Sequence, residues 1–377
     1  MLIARAPVRI SLAGGGTDLP AYFNQHDGIV INTTIDKYFY AILRVYDGDS
    51  LQVASSDYST FFRQDSLGGE RADDGILALP RTILHHFGID RGLSMFLASE
   101  IPPGTGLGSS STVTVAIIKA LSIASGEHLK KPELAELACE MEIEKMGMPI
   151  GRQDQYAAAF GGLNEIVFTR YGTTVTPLDV TLDTRQRLQD NLMLFFTGSS
   201  RNSADILKKQ TDASHKTGSK TVEALHRVKG MVADVKESLL RDDLTAFGQL
   251  LHENWMHKKR FAPGISNALI DESYDAARSL GAIGGKITGA GGGGFLMLYC
   301  EPEYQLAVTQ ALEKLGLRRM DFRFDNTGAR VLMNAGLTIS RTAPHGHRPG
   351  LIREAVDRPA AASNLIVNSQ LLGEVPG

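Results

Sequence analysis

The chain has 377 residues, 43% of them hydrophobic and 21% charged, which is ample for a sizeable core and long for one ordinary domain, so two lobes are expected. A formal net charge of −3 gives no electrostatic reason for a nucleic-acid or anionic-membrane partner, and no apolar run approaches a membrane span. Any basic site for an anionic ligand must therefore be local.

Residues 2–12 read as a strand, rich in apolar and β-branched types, that stops at the turn Gly14-Gly15-Gly16. Two strand-like stretches follow, 29–34 and 38–45, separated at Asp36-Lys37. Another, 93–98, ends at Pro102-Pro103-Gly104. From 112 to 124, Val113, Ile117, Ala120, Leu121 and Ala124 recur at helical spacing, and Gly126 closes the element. The next helix opens with Pro132, turns Leu134, Leu137, Ala138 and Met141 inward, and ends at Gly147. After Asp183 a strand at 192–197 leads into amphipathic helices as far as Leu280, and a strand at 295–299 follows a run of glycines. Strands and helices alternate without a strict βαβ repeat. The expectation is an α+β protein of two lobes, 1–185 and 186–340, followed by a breaker-rich tail, 341–377, that is loosely docked or disordered. Cys139 and Cys300, far apart and without paired metal-ligand spacing, read as buried reduced thiols. Residues 1–7 lack a basic-then-apolar signal pattern, so the cytoplasm is the expected location.

The strongest chemical signal is Pro102-Pro103-Gly104-Thr105-Gly106-Leu107-Gly108-Ser109-Ser110-Ser111, running into the helix at Thr112. Glycines let backbone approach an anion, hydroxyls cap the helix, and free amides at its positive end face the ligand. No Lys-Ser/Thr follows the last glycine, so this is a phosphate cradle without the Walker A pattern. A second cluster, Lys286-Ile287-Thr288-Gly289-Ala290-Gly291-Gly292-Gly293-Gly294, formally matches G-x-G-x-x-G. A strand follows it where a dinucleotide site requires a helix, so it reads instead as backbone of one lobe packed against a ligand held by the other. Third comes Gly147-Met148-Pro149-Ile150-Gly151-Arg152-Gln153-Asp154-Gln155-Tyr156, after a helix carrying Glu140, Glu142 and Glu144. Alone, Asp154 is as consistent with a helix cap or an ion-pair partner as with a base, and the glutamates fit a solvated face better than a metal site.

Together these segments resemble the GHMP kinases, with Pro7-Val8-Arg9-Ile10-Ser11-Leu12-Ala13-Gly14-Gly15-Gly16-Thr17-Asp18 as first motif, the serine-rich loop as second and Thr288 to Gly294 as third. The likeness covers residues 1 to about 340. It implies a ribosomal-protein-S5-like first lobe, a ferredoxin-like second lobe, and ATP and magnesium as cofactors. The ATP site implied is Pro103, Gly104, Thr105, Gly106, Leu107, Gly108, Ser109, Ser110, Ser111 and Thr112, with Gly289, Gly291 and Gly292. Asp154 is the implied catalytic base with Arg9 beside it, and Ser110 and Glu142 the magnesium ligands. Glu142 stands twelve positions before Asp154, the galactokinase spacing, with Glu144 as the alternative. Sugar contacts fall to Gly15, Gly16, Thr17, Asp18, Gln153, Tyr156 and Arg201. Galactokinases carry Glu-His where this chain has Gly15-Gly16. The triple glycine, Gly-Arg-Gln-Asp-Gln-Tyr and Thr197-Gly198-Ser199-Ser200-Arg201 are most similar to D-glycero-D-manno-heptose 7-phosphate kinases. The expected reaction is phosphorylation of the anomeric hydroxyl of such a sugar phosphate. A kinase of another sugar (octose phosphate, fucose or galactose type), a decarboxylating relative and a non-catalytic sensor are the alternatives. A sensor would be expected to lack Asp154 or the loop serines, and both are present.

Overall fold

The computed structural model describes residues 1–45, 50–56, 60–64, 77–89, 92–198, 220–259 and 264–339. The expected tail, and the segment 199–203 with Arg201, lie outside the described residues. In chain order the elements begin with β1 (Leu2–Ala13), α1 (Pro20–His26), β2 (Gly28–Val45), β3 (Leu51–Ser55), β4 (Thr60–Gln64), α2 (Ala78–His86), β5 (Leu93–Ser99), α3 (Ser109–Ala124) and α4 (Lys131–Cys139), which widens into a π-helical turn, Glu140–Lys145. Then come α5 (Gln153–Phe160), β6 (Leu163–Thr169), β7 (Gly172–Pro177), α6 (Leu182–Asn191), β8 (Leu192–Phe196), α7 (Lys220–Leu240), α8 (Leu244–Lys258) and α9 (Ala268–Ser279). The last are β9 (Ala282–Ile287), β10 (Phe295–Cys300), α10 (Pro302–Lys314), β11 (Arg318–Met320), β12 (Phe324–Asp325) and β13 (Arg330–Asn334).

Two sheets organise the molecule. The larger runs β13-β1-β2-β5-β3-β4, and β2 is long enough to take β6, β12 and β5 in succession along the edge opposite β1. The break expected at Asp36-Lys37 does not end that strand. Pro7 faces Tyr38 but Arg9 faces Thr34, so residues 35–37 bulge out of the ladder where Pro7 has no amide to offer. The Asp36 amide is satisfied by the Arg323 carbonyl at 2.8 Å. The smaller sheet, β11-β8-β10-β9, is antiparallel throughout. Its central strand β10 is buried on both faces: Phe295, Met297 and Tyr299 enter a core shared with β1, α7 and α8, while Leu296, Leu298 and Cys300 enter a core under α9 and α10. This is the two-lobed α+β architecture.

The chain does not stay in the second lobe to residue 340. Phe324–Asp325 and Arg330–Asn334 cross back to pair with β2 and β1, closing the first sheet. Both cysteines are buried and free, as their surroundings predicted. No helix among the described residues is long and apolar enough to cross a membrane.

Candidate active site

The glycine-serine loop delivers α3 with its first turn open. The helix begins at Ser109, three residues earlier than periodicity placed it, because the serines form its first turn and do not precede it. They therefore do not cap it: the cap position is Gly108 in the left-handed region (φ 82°), with no side-chain bond. Thr112 makes the first intrahelical bond, its amide 3.0 Å from the Gly108 carbonyl, which leaves the amides of Ser109, Ser110 and Ser111 without intrahelical partners. Glycine is required at two points here. A Cβ on Gly106 (φ 79°) would lie 2.6 Å from the Thr288 carbonyl oxygen, and one on Gly108 would lie 3.0 Å from the Asp154 carboxylate. The loop is thus held between the third motif and Asp154.

Asp154 stands in the first turn of α5, its side chain a quarter exposed, in a 2.5 Å ion pair with Arg9, which is 7% exposed. Arg9 also donates to the Gly106 carbonyl at 2.8 Å, and its amide bonds the Leu107 carbonyl at 3.1 Å. One guanidinium from β1 therefore ties the carboxylate to the loop. Tyr156, two residues on, departs from expectation. Residues i and i+2 lie on opposite sides of a helix, so Tyr156 turns into the first core, where it packs on Phe160 and Phe168 and bonds Glu136. It does not face the Asp154 side. Gln153 is buried, and its Nε2 has no partner among the described residues.

Glu142 is fully buried within the π-helical turn, whose widened bonding includes the Met146 amide reaching the Met141 carbonyl. It accepts from Ser110 Oγ at 3.3 Å and from Gln155 Nε2 at 2.6 Å. Burial, with a smaller push from the Asp154 charge, raises its carboxyl to about 7, and the Gln155 bond only partly opposes this. Glu144 is exposed and lines an outer acidic cleft with Glu140 and His86, away from Ser110. Gln155 was not anticipated; its spacing of thirteen from Glu142 carries no helical signal.

The triple-glycine turn sits beside this pair. Asp18 is buried, and its two oxygens accept the amides of Gly16 (2.9 Å) and Gln153 (3.2 Å), which binds the turn to the start of α5. Burial, then the neighbouring Asp154 charge, raises its pKa. Thr17 is wholly buried and bonds the Gly14 and Ile29 carbonyls, so it shapes the turn and faces no ligand. In the third motif, Gly289 packs on Gly106, Thr288 Oγ1 donates to the Thr105 carbonyl at 3.2 Å, and the Gly292 amide is taken by Ile265 at 2.8 Å. The motif clamps the loop from the second lobe. Gly292 brings no free amide to it. Two lysines that sequence reading passed over, Lys258 and Lys286, lie in the same seam.

The arrangement comprises a carboxylate held by a guanidinium, an open helix end and a buried hydroxyl–carboxylate pair. Comparison with known proteins shows the family. The profile of the GHMP kinases N terminal domain matches residues 76–162, and that of the GHMP kinases C terminal matches residues 235–316. The chain is 33% identical over 339 residues to a D-glycero-alpha-D-manno-heptose 7-phosphate kinase of Campylobacter jejuni, covering 86% of this chain and 97% of that protein. It is 31% identical over 245 residues to a mevalonate kinase of Pyrococcus horikoshii, covering 64% of this chain and 69% of that one. A crystal structure of a D-glycero-D-manno-heptose 1-phosphate kinase from Bacteriodes thetaiotaomicron superposes with a TM-score of 0.73 at 28% identity, covering 89% of this chain and 99% of that one.

Proposed function

Because the chain belongs to the GHMP kinase family and is an ATP-dependent phosphotransferase, we propose that it phosphorylates the anomeric hydroxyl of a sugar phosphate, foremost D-glycero-D-manno-heptose 7-phosphate. The observation that carries this reading is the Arg9–Asp154 pair set against Gly108 at the open end of α3. Phosphoryl transfer asks a protein mainly for positioning and charge neutralisation. Asp154 accepts the hydroxyl proton; Arg9 fixes its direction and balances charge on the transferring group. Amides of Ser109, Ser110 and Ser111 receive phosphate oxygens. The side-chain-free turn at Gly15 and Gly16 leaves space for a carbon chain longer than a hexose.

Ser110 and Glu142 fit magnesium. Both are hard oxygen donors, and the buried Glu142 carboxylate has no cation beside it in the ion pairs of the described residues. Magnesium commonly keeps several waters and takes only one or two protein carboxylates. When bound, magnesium supplies charge neutralisation at the phosphates. A pH dependence follows. With its carboxyl raised to about 7, the folded chain holds a proton that the unfolded chain has already lost. The metal-free fold thus loses stability as pH rises toward 7, and magnesium must displace that proton below it. Half-saturating magnesium, read from initial rates, is expected to rise as pH falls through about 7. Glu142→Gln should raise the requirement at every pH and flatten the trend; an unchanged requirement removes Glu142 from the site.

The sugar itself is tested by ADP release on a panel of heptose 7-phosphate, unphosphorylated heptose, fucose, galactose and mevalonate. Heptose 7-phosphate is expected to give the highest kcat/KM. Preference for fucose or mevalonate would move the chain to another branch of the family, and no release with any of them would favour a sensor.

A further inference from the structure

The second lobe presents cations to the seam that no carboxylate among the described residues balances. Lys286, on β9, is 4% exposed and crosses to the first lobe, where its ammonium donates to the Leu12 carbonyl at 3.0 Å. Lys258, the last residue of α8, donates to the carbonyls of Gly289 and, at 3.4 Å, Ile287. The residue as a whole is half-buried. Neither lysine pairs with an acidic group among the described residues; the charge of Arg9 reaches both, and that of Lys258 reaches Lys286. Burial, then Arg9, lowers Lys258 to about 8; burial, then Lys258 and Arg9, drives Lys286 well down.

Carbonyl bonds satisfy some ammonium protons without neutralising charge. Each ammonium has three donors, so at least one on Lys258 and two on Lys286 remain beyond those bonds. Two further buried polar atoms nearby in the chain have no partner among the described residues. They are Asn254 Nδ2, one turn before Lys258 on the same helix face, and Ser11 Oγ, adjacent to Leu12. Burying like charges together is expensive unless an anion arrives. A pure inter-lobe strut would be served by neutral donors at lower cost.

We propose that Lys258 and Lys286 form the second lobe's half of an anion receptor which, with Arg9 across the seam, takes up a phosphoryl dianion. The source is either the terminal phosphoryl of ATP or the phosphate already on the sugar. Only the choice between them rests on the kinase reading; anion binding does not.

The test uses the full chain with Lys258→Met and Lys286→Met, which keep length and remove charge. Inorganic tripolyphosphate should raise the melting temperature of the parent and raise that of each variant much less. Without ligand, Lys258→Met should melt at or above the parent, since an uncompensated buried charge has gone; Lys286→Met also removes the donor to the buried Leu12 carbonyl, so it is judged by its tripolyphosphate shift alone. Turnover then separates the sources: kcat/KM should fall about 10- to 100-fold, the range for a hydrogen bond to a charged group. Equal losses on heptose and heptose 7-phosphate assign the receptor to ATP, and a loss confined to heptose 7-phosphate assigns it to the sugar phosphate. If neither sugar is a substrate, the tripolyphosphate shift still decides the receptor. Lys258→Arg restores a cation and should recover that shift. An intact shift in both Met variants overturns the receptor, as does a lowered melting temperature that Lys258→Arg leaves uncorrected along with the lost shift.

Discussion

Asp154→Asn is expected to lower turnover by about two to four orders of magnitude while ATP binding survives, the range for losing a general base. The substitution preserves size, so the contact with Gly108 stays. An amide oxygen can still accept from Arg9, so the guanidinium keeps its bond to the Gly106 carbonyl and the loop keeps its place. What disappears is the capacity to take a proton. Asp154 also lies in the first turn of α5, where a negative charge favours the helix by about 0.3–1 kcal/mol, and its loss leaves the buried Arg9 without a counter-charge, so a stability loss short of that for a fully buried pair should accompany the kinetic one. Single-turnover transfer, with calorimetric titration of a non-hydrolysable ATP analogue, separates the two effects. Near-parent transfer would remove Asp154 as the base; lost nucleotide binding would make it a structural member of the loop.

Arg9→Gln should be nearly as damaging, by about two to three orders of magnitude in kcat, the range for removing one preorganised charge stabiliser. Arg9 touches both halves of the site, the carboxylate at 2.5 Å and the loop carbonyl at 2.8 Å, from a buried position on β1. Glutamine is too short and uncharged to hold both. Some stability should go as well, less than the about 3–5 kcal/mol of a fully buried pair, because Asp154 is a quarter exposed and partly screened. Since the two residues act as a unit, Arg9→Gln with Asp154→Asn should lose much less than the product of the single losses. Strictly multiplicative losses would mean that Arg9 and Asp154 serve separate steps.

The glycine motifs were legible because backbone that must approach another backbone leaves no choice of residue. Gly106 and Gly289 show this, each excluding a side chain through a backbone contact that the sequence implies without naming. The Asp36-Lys37 pair misled because a bulge absorbs breaker residues that otherwise end a strand. Tyr156 misled because motif adjacency ignores helical phase. Lys258 and Lys286 were passed over for different reasons. Lys258 opens Lys-Lys-Arg, which reads as a solvated charge run, although Phe247, Leu251 and Trp255 place it on the buried face of α8. Lys286 was hidden in a strand among glycines, and nothing local shows that it spans the lobes to Leu12. Long-range pairing of that kind is settled only by tertiary structure.

The measurement that bears most directly on the proposed reaction is phosphorus and proton NMR of the product formed from ATP and heptose 7-phosphate. Transfer to the anomeric oxygen gives a sugar with two phosphorus signals, the new one split by the anomeric proton, in step with ADP. A new phosphate coupled to any other carbon-bound proton, or ADP accompanied only by inorganic phosphate, would contradict it.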